Sequence, residues 1–180
     1  MTIRWQEAFL TTAFRLGKKL QLGRLVQFRE SGSSRVFIDY FKGFERVEAI
    51  QRIFGDRTEE VLRSLQVDFF PMVGFMAVNG SNGHLMVNPR YLNSGDRLDV
   101  YLDVVHELVH VRQHMEGRGL FDSNYGYADR PTEVEAYRYA VEEARRLGVG
   151  DDRICEYLRT PWMSEDDLMR LARALNVKCS

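Results

Sequence analysis

The sequence predicts an α+β domain in which a small β-sheet or hairpin packs on a long helix, with a second functional helix behind it. Three observations predict this. Residues 101–114 place Tyr101, Val105, Leu108 and Val109 on one side of a helix. Residues 74–88 hold two short apolar runs around Asn79-Gly-Ser-Asn-Gly83, the chemistry of a hairpin turn. Residues 131–147 form another amphipathic helical pattern, which stops at Gly148.

The remaining elements follow in chain order. Residues 4–20 read as a helix, with Trp5, Phe9, Ala13, Leu16 and Leu20 at three- and four-residue spacing. Residues 24–29 and 35–41 read as strands flanking a turn at 31–34. Two short helices are expected over 44–54 and 58–65, broken at Gly55-Asp56. Pro89 should close the second strand of the 74–88 hairpin, and Ser94 or Asp96 should cap the helix that follows. That helix ends at Glu116-Gly-Arg-Gly119, and an aromatic-bearing loop spans 120–131. Helices over 151–158 and 164–175 complete the chain, the latter opened by Ser164 with Asp167 three residues on.

A length of 180 residues suits a single domain, 1–180, with a metal-binding core over about 67–148. The hydrophobic content of 44% is that of a folded globular chain. A formal charge of −1 argues against a general nucleic-acid or membrane-surface binder. Cys155 and Cys179 show no CxxC spacing, so neither a zinc ribbon nor a disulfide framework is expected. Cys155 reads as a packing residue. The N-terminal apolar run is short for a signal peptide and contains Glu7, and no stretch approaches the ~20 apolar residues of a membrane span. A reduced, soluble, cytoplasmic protein is therefore expected.

Chemistry concentrates in DVVHELVHVRQH, residues 103–114, which holds three of the four histidines. His106, Glu107 and His110 spell HExxH. Residues four apart share a helix face, so the two imidazoles can grip one metal ion while Glu107 reaches past them. Asp103 and Gln113 lie on the same polar side and could orient the histidines, although solvated helix residues need no role. His114 is more simply a surface histidine than a fourth ligand.

A catalytic zinc site uses three protein ligands and leaves a position open. Candidates for the third are Glu133 and Glu135, in the next acidic helix. At about 100° per residue, Tyr137, Ala140 and Ala144 fall within about 40° of Glu133, whereas Glu135 lies at about 200°, towards Glu142 and Arg146. A carboxylate on an apolar face is costly unless paired or metal-bound. Glu133 is the expected ligand and Glu135 a solvated neighbour.

HExxH on one helix with a later ExxA-type glutamate on a second resembles the gluzincin group of zinc metallopeptidases, over little more than residues 103–140. The chain departs from metzincins, having Gln113 and Glu116 where those place glycine and the third histidine. It also carries Tyr137 where several gluzincin branches place an acid. The resemblance implies a zincin-like fold and one zinc per chain, held by His106, His110 and Glu133. It further implies that Glu107 acts as general base for a zinc-activated water that cleaves a peptide or protein substrate. The 74–88 hairpin could lend an edge strand to an extended peptide, or simply cover the core. Tyr125, Tyr127, Arg130, His84 and His114 are candidate oxyanion donors. Two other classes stay open: a zinc-stabilised non-catalytic binding or regulatory module, and a metal-independent helical interaction protein.

Overall fold

The computed structural model describes residues 34–69 and 74–179. The helix expected over 4–20 and the strand expected over 24–29 lie outside them, as does nearly all of the 31–34 turn.

The strand expected over 35–41 is a correction. Strand β1, Arg35–Val36, lasts two residues and gives way to a short helix, α1, Phe37–Tyr40. Aromatic β-propensity loses here to packing at helical spacing. The Phe37, Phe41 and Phe44 rings, at intervals of four and three, meet with centroids 4.9–5.9 Å apart, and all three are fully buried. A 3₁₀ turn at Phe44–Arg46 then leads into α2, Glu48–Phe54. Gly55 ends α2 at φ 59°, and α3, Thr58–Ser64, follows.

Among the described residues the sheet has four strands, in the order β1, β2 (Gln66–Phe69), β4 (Leu85–Val87) and β3 (Met76–Val78). Strand β2, Gln66–Phe69, runs antiparallel to β1 and parallel to β4, Leu85–Val87. Strand β3, Met76–Val78, pairs antiparallel with β4, with Ala77 opposite Met86. The expected hairpin is thus present, and among the described residues its outer strand lies at the sheet edge. Asn79 organises the turn: its carbonyl accepts from the Gly83 N–H at 2.7 Å and its Oδ1 from the Ser81 N–H at 3.0 Å. Gly83 is required twice over. It sits at φ +74°, and a Cβ there would stand 2.6 Å from the His114 ring.

Pro89 does not merely close the strand. It opens α4, Pro89–Ser94, behind an Asn88 cap whose Oδ1 accepts from the Arg90 N–H at 3.0 Å. Asp96 is the cap of the central helix, α5, Arg97–Met115, taking the Leu98 N–H at 2.9 Å. Helix α6, Pro131–Arg146, lies along α5, reached by a 3₁₀ turn at Tyr127–Asp129. Helices α7, Asp151–Leu158, and α8, Glu165–Ala174, complete the described chain, and Ser164 and Asp167 form a reciprocal capping box. The described residues share one hydrophobic cluster around α5. None of the described helices is long and apolar enough to cross a membrane.

The cysteines are a second correction. Cys155 of α7 and Cys179 form a disulfide, with Cα atoms 5.4 Å apart. They lie 24 residues apart with no motif between them, and only the return of the chain after α8 brings them together. The expectation of two reduced cysteines falls with this pairing.

Candidate metal centre

Helix α5 is not simply apolar behind and polar in front. Its polar side is buried as well, with His106 and His110 at 5% exposure, Glu107 at 7% and Gln113 at 0%. The cover comes from α6 and β3. Pro131 starts α6 and places Glu133 in its first turn, where a carboxylate also suits the positive end of the helix dipole. Glu133 is 5% exposed.

Three ligand atoms converge. The His106 and His110 Nε2 atoms are 3.0 Å apart, and Glu133 Oε2 lies 3.4 Å from the first and 3.5 Å from the second. Four ligands at zinc distances of about 2.0–2.1 Å in a tetrahedron are separated by about 3.3 Å. The triangle therefore has the size of one face of such a shell. Glu133 Oε2 is buried without a hydrogen-bond partner, an orphaned charged atom of the kind a cation satisfies. The residues present fit the ion.

Electrostatics point the same way. Burial raises the Glu133 carboxyl, but the adjoining His106 and His110 imidazoles outweigh it and hold the group well below the usual carboxylate range. Burial lowers His106. It lowers His110 too, but Glu133, Glu107 and Gln113 reverse the balance and push His110 up to about 9.

Second contacts determine which nitrogen faces inward. Gln113 Nε2 donates to the Thr132 carbonyl at 3.0 Å and to Glu135 Oε2 at 2.9 Å. The amide oxygen is thereby turned to His110 Nδ1, at 2.7 Å. An oxygen there requires an N–H on Nδ1, so the Nε2 lone pair of neutral His110 faces the triangle. Glu135 is held by Arg118 at 2.6 Å and by Arg112 in a short ion pair. Glu135 is thus no solvated neighbour, which corrects the sequence expectation. Its partners lie 17 to 23 residues away, beyond the reach of periodicity. Asp103 does not reach His106 either: it accepts from Tyr91 Oη at 2.5 Å, and His106 Nδ1 has no hydrogen-bond partner.

No protein-family model, curated protein or solved structure matches the chain. The chemistry of the site therefore has to be read from its own groups. Glu107 projects beside the triangle towards β3, where the Val78 backbone bonds its carboxylate. Its Oε2 is buried and unpartnered. Burial pushes its carboxyl up to about 8.

The HExxH helix forms the floor of a cleft with two lobes that share Phe75, Met76, His106, Glu107, Tyr127 and Trp162. One lobe, of about 240 Å³, is bordered by β3, Leu120 and Phe121 and opens on Glu133. The other, of about 150 Å³, runs towards Asp103 and α7. Among the five donor candidates only Tyr127 borders the cleft. His84 pairs with Asp68 at 2.9 Å, His114 packs on Gly83, Tyr125 is 45% exposed, and Arg130 stands 3.7 Å from Glu133 Oε1. The Tyr127 hydroxyl meets that of Tyr137 at 3.0 Å, and the Tyr137 ring lies against His106 at 4.3 Å. Tyr137 had no sequence signal as a site residue beyond sharing the Glu133 face.

Proposed function

We propose that the chain is a zinc-dependent hydrolase that cleaves peptide bonds, with a zincin-like core and a gluzincin-type ligand set. The observation that carries this is the placement of Glu107. It is a buried carboxylate with a free oxygen, beside but outside the His106–His110–Glu133 triangle, at the junction of two cleft lobes. A purely structural site has no use for such a group and closes its shell with a fourth protein ligand.

His106, His110 and Glu133 would hold the ion, and Gln113 would keep His110 in the ligating tautomer. Bound zinc supplies Lewis-acid polarisation and acidifies water near neutral pH. Glu107 takes the proton of the attacking water on Oε2 and returns it to the leaving amine. Tyr127, which borders both lobes, would be the donor that stabilises the developing oxyanion, and β3, at the sheet edge among the described residues, would hold an extended peptide laid along the cleft.

Elemental analysis of protein purified without a histidine tag should find one zinc per chain. A peptide-library screen should then find a cleaved sequence that the Glu107→Gln variant, still holding zinc, fails to cut. Stoichiometric zinc with no cleavage of any peptide would instead favour a zinc-stabilised binding module.

A further inference from the structure

The α7-side lobe of the cleft is built differently from its neighbour. Its inner wall carries Asp103, one turn before Glu107 on α5, and Asp99, one turn earlier. Asp99 is neutralised by Arg153 at 2.5 Å, and Arg153 also stands 3.9 Å from Glu156. Asp103 has no such partner. Its hydrogen bond comes from the neutral Tyr91 hydroxyl, and among the described residues no Lys, Arg or His reaches it within ion-pair distance. The lobe's cation, Arg159, is at the surface and tied to Glu165. Two further groups face the lobe unsatisfied. Tyr157 and Thr160 are each 8% exposed; the Tyr157 hydroxyl is turned to Asp103 without completing a well-formed hydrogen bond, and the Thr160 hydroxyl has no hydrogen-bond partner.

A partly buried carboxylate with no counter-ion among the described residues, beside hydroxyls that do not complete their hydrogen bonds, is completed by a positively charged donor. We infer that this lobe is a specificity pocket for a cationic group of the substrate, an ammonium or guanidinium held by Asp103 with Tyr157 and Thr160 beside it. The inference rests on the hydrolase reading only for the word substrate. The size agrees: about 150 Å³ accommodates a benzene-sized body, enough for an alkylammonium chain. Burial pushes the Asp103 carboxyl up to about 7 in the empty lobe, and a bound cation would favour its ionised form. The other lobe, walled by Phe75, Phe121 and Trp162, offers no such charge on its outer side. A preferred peptide therefore carries its positive charge on one side of the scissile bond and bulk apolar surface on the other. The charge can come from a lysine or arginine side chain or from a free N-terminus.

Trp162 borders both lobes and reports occupancy by its fluorescence, with Trp5→Phe removing the other indole. Three probes separate the sources in the full-length chain at pH 7.5. N-acetyl-lysine methylamide carries a side-chain ammonium, norleucine methylamide an α-ammonium, and N-acetyl-norleucine methylamide no charge. At least one cationic probe should bind tenfold or more tightly than the neutral one, and the winner names the source. Asp103→Asn, which can still accept from Tyr91, should remove that preference, while Asp99→Asn should leave most of it. Equal binding of all three probes by the parent chain overturns the inference, as does a preference that survives Asp103→Asn. The two readings fail separately. An Asp103-dependent cation preference in a chain that cleaves no peptide retains the pocket and sinks the hydrolase, whereas peptide cleavage indifferent to charge does the reverse.

Discussion

Gln113 offers the most exacting test of the metal centre, because its effect on the ion can be separated from its effect on the fold. Replacement by leucine keeps the approximate volume of a fully buried side chain and removes the acceptor 2.7 Å from His110 Nδ1. Above about pH 9, where His110 without an ion is neutral, its one proton can sit on Nε2, and no donor is stranded. With an ion on Nε2, the Nδ1–H is obligatory and stays buried with no acceptor. The penalty of an unsatisfied buried donor, roughly 1–3 kcal/mol, therefore falls on the bound state alone. That corresponds to a loss of roughly 5- to 150-fold in affinity, in line with the roughly 10- to 100-fold typical when a ligand histidine loses its supporting partner. Competition for zinc against a chromophoric chelator at pH 9.5 measures it, and thermal unfolding with excess chelator at the same pH measures the apo protein. A Gln113→Leu variant that binds zinc within twofold of the parent would refute both the tautomer assignment and the ligand role of His110.

Further outcomes follow from the same contacts. Glu135→Gln should weaken zinc binding by a few-fold, less than Gln113→Leu, because the Thr132 carbonyl still orients the amide; chelator competition checks this, and an unchanged affinity would return Glu135 to the solvated role. Alanine at His106 or His110 should abolish stoichiometric zinc, and Glu133→Gln should weaken it by roughly tenfold or more, both read by elemental analysis after dialysis. Glu107→Gln should retain zinc and lose roughly 10² or more in cleavage of any peptide found by screening; cleavage at the parent rate would remove Glu107 from the mechanism. Asp103 titrates near 3.8 when unfolded and at about 7 when folded, so over that interval the folded chain holds a proton that the unfolded chain has lost. The contribution of Asp103 to stability should fall as pH rises from about 4 to about 7 and then level off. Asp103→Asn, which imitates the protonated acid, should accordingly raise Tm at pH 8 and leave it little changed at pH 4, measured in chelator. Reduction of Cys155–Cys179, or Cys155→Ser, should destabilise by roughly 3 kcal/mol for a loop of this length, seen as a fall in Tm of roughly 6–12 °C by calorimetry.

What the sequence by itself determined is whatever interactions between near neighbours decide. The four-residue interval from His106 to His110 places two imidazoles on one helix face in any fold that keeps the helix. The Asn79–Gly83 turn closes through its own Asn side chain and a glycine at positive φ. Ser164 and Asp167 satisfy each other's backbone N–H groups within one turn. The apolar arc around Glu133 distinguishes it from Glu135 because burial is periodic along α6. Local signals misled where two patterns overlapped, as at Phe37 and Phe41, whose aromatic character suggests a strand while their spacing to each other and to Phe44 packs as a helix. Only the tertiary structure decided contacts between residues far apart in sequence. It set the approach of α6 to α5, which turned Glu135 from a surface acid into the holder of Gln113. It brought Tyr91 onto Asp103 and, among the described residues, left that carboxylate without a cation, and it carried Cys179 back to Cys155. Each of these depends on the angle and distance between packed elements, which long-range apolar burial determines and which no spacing along one helix encodes.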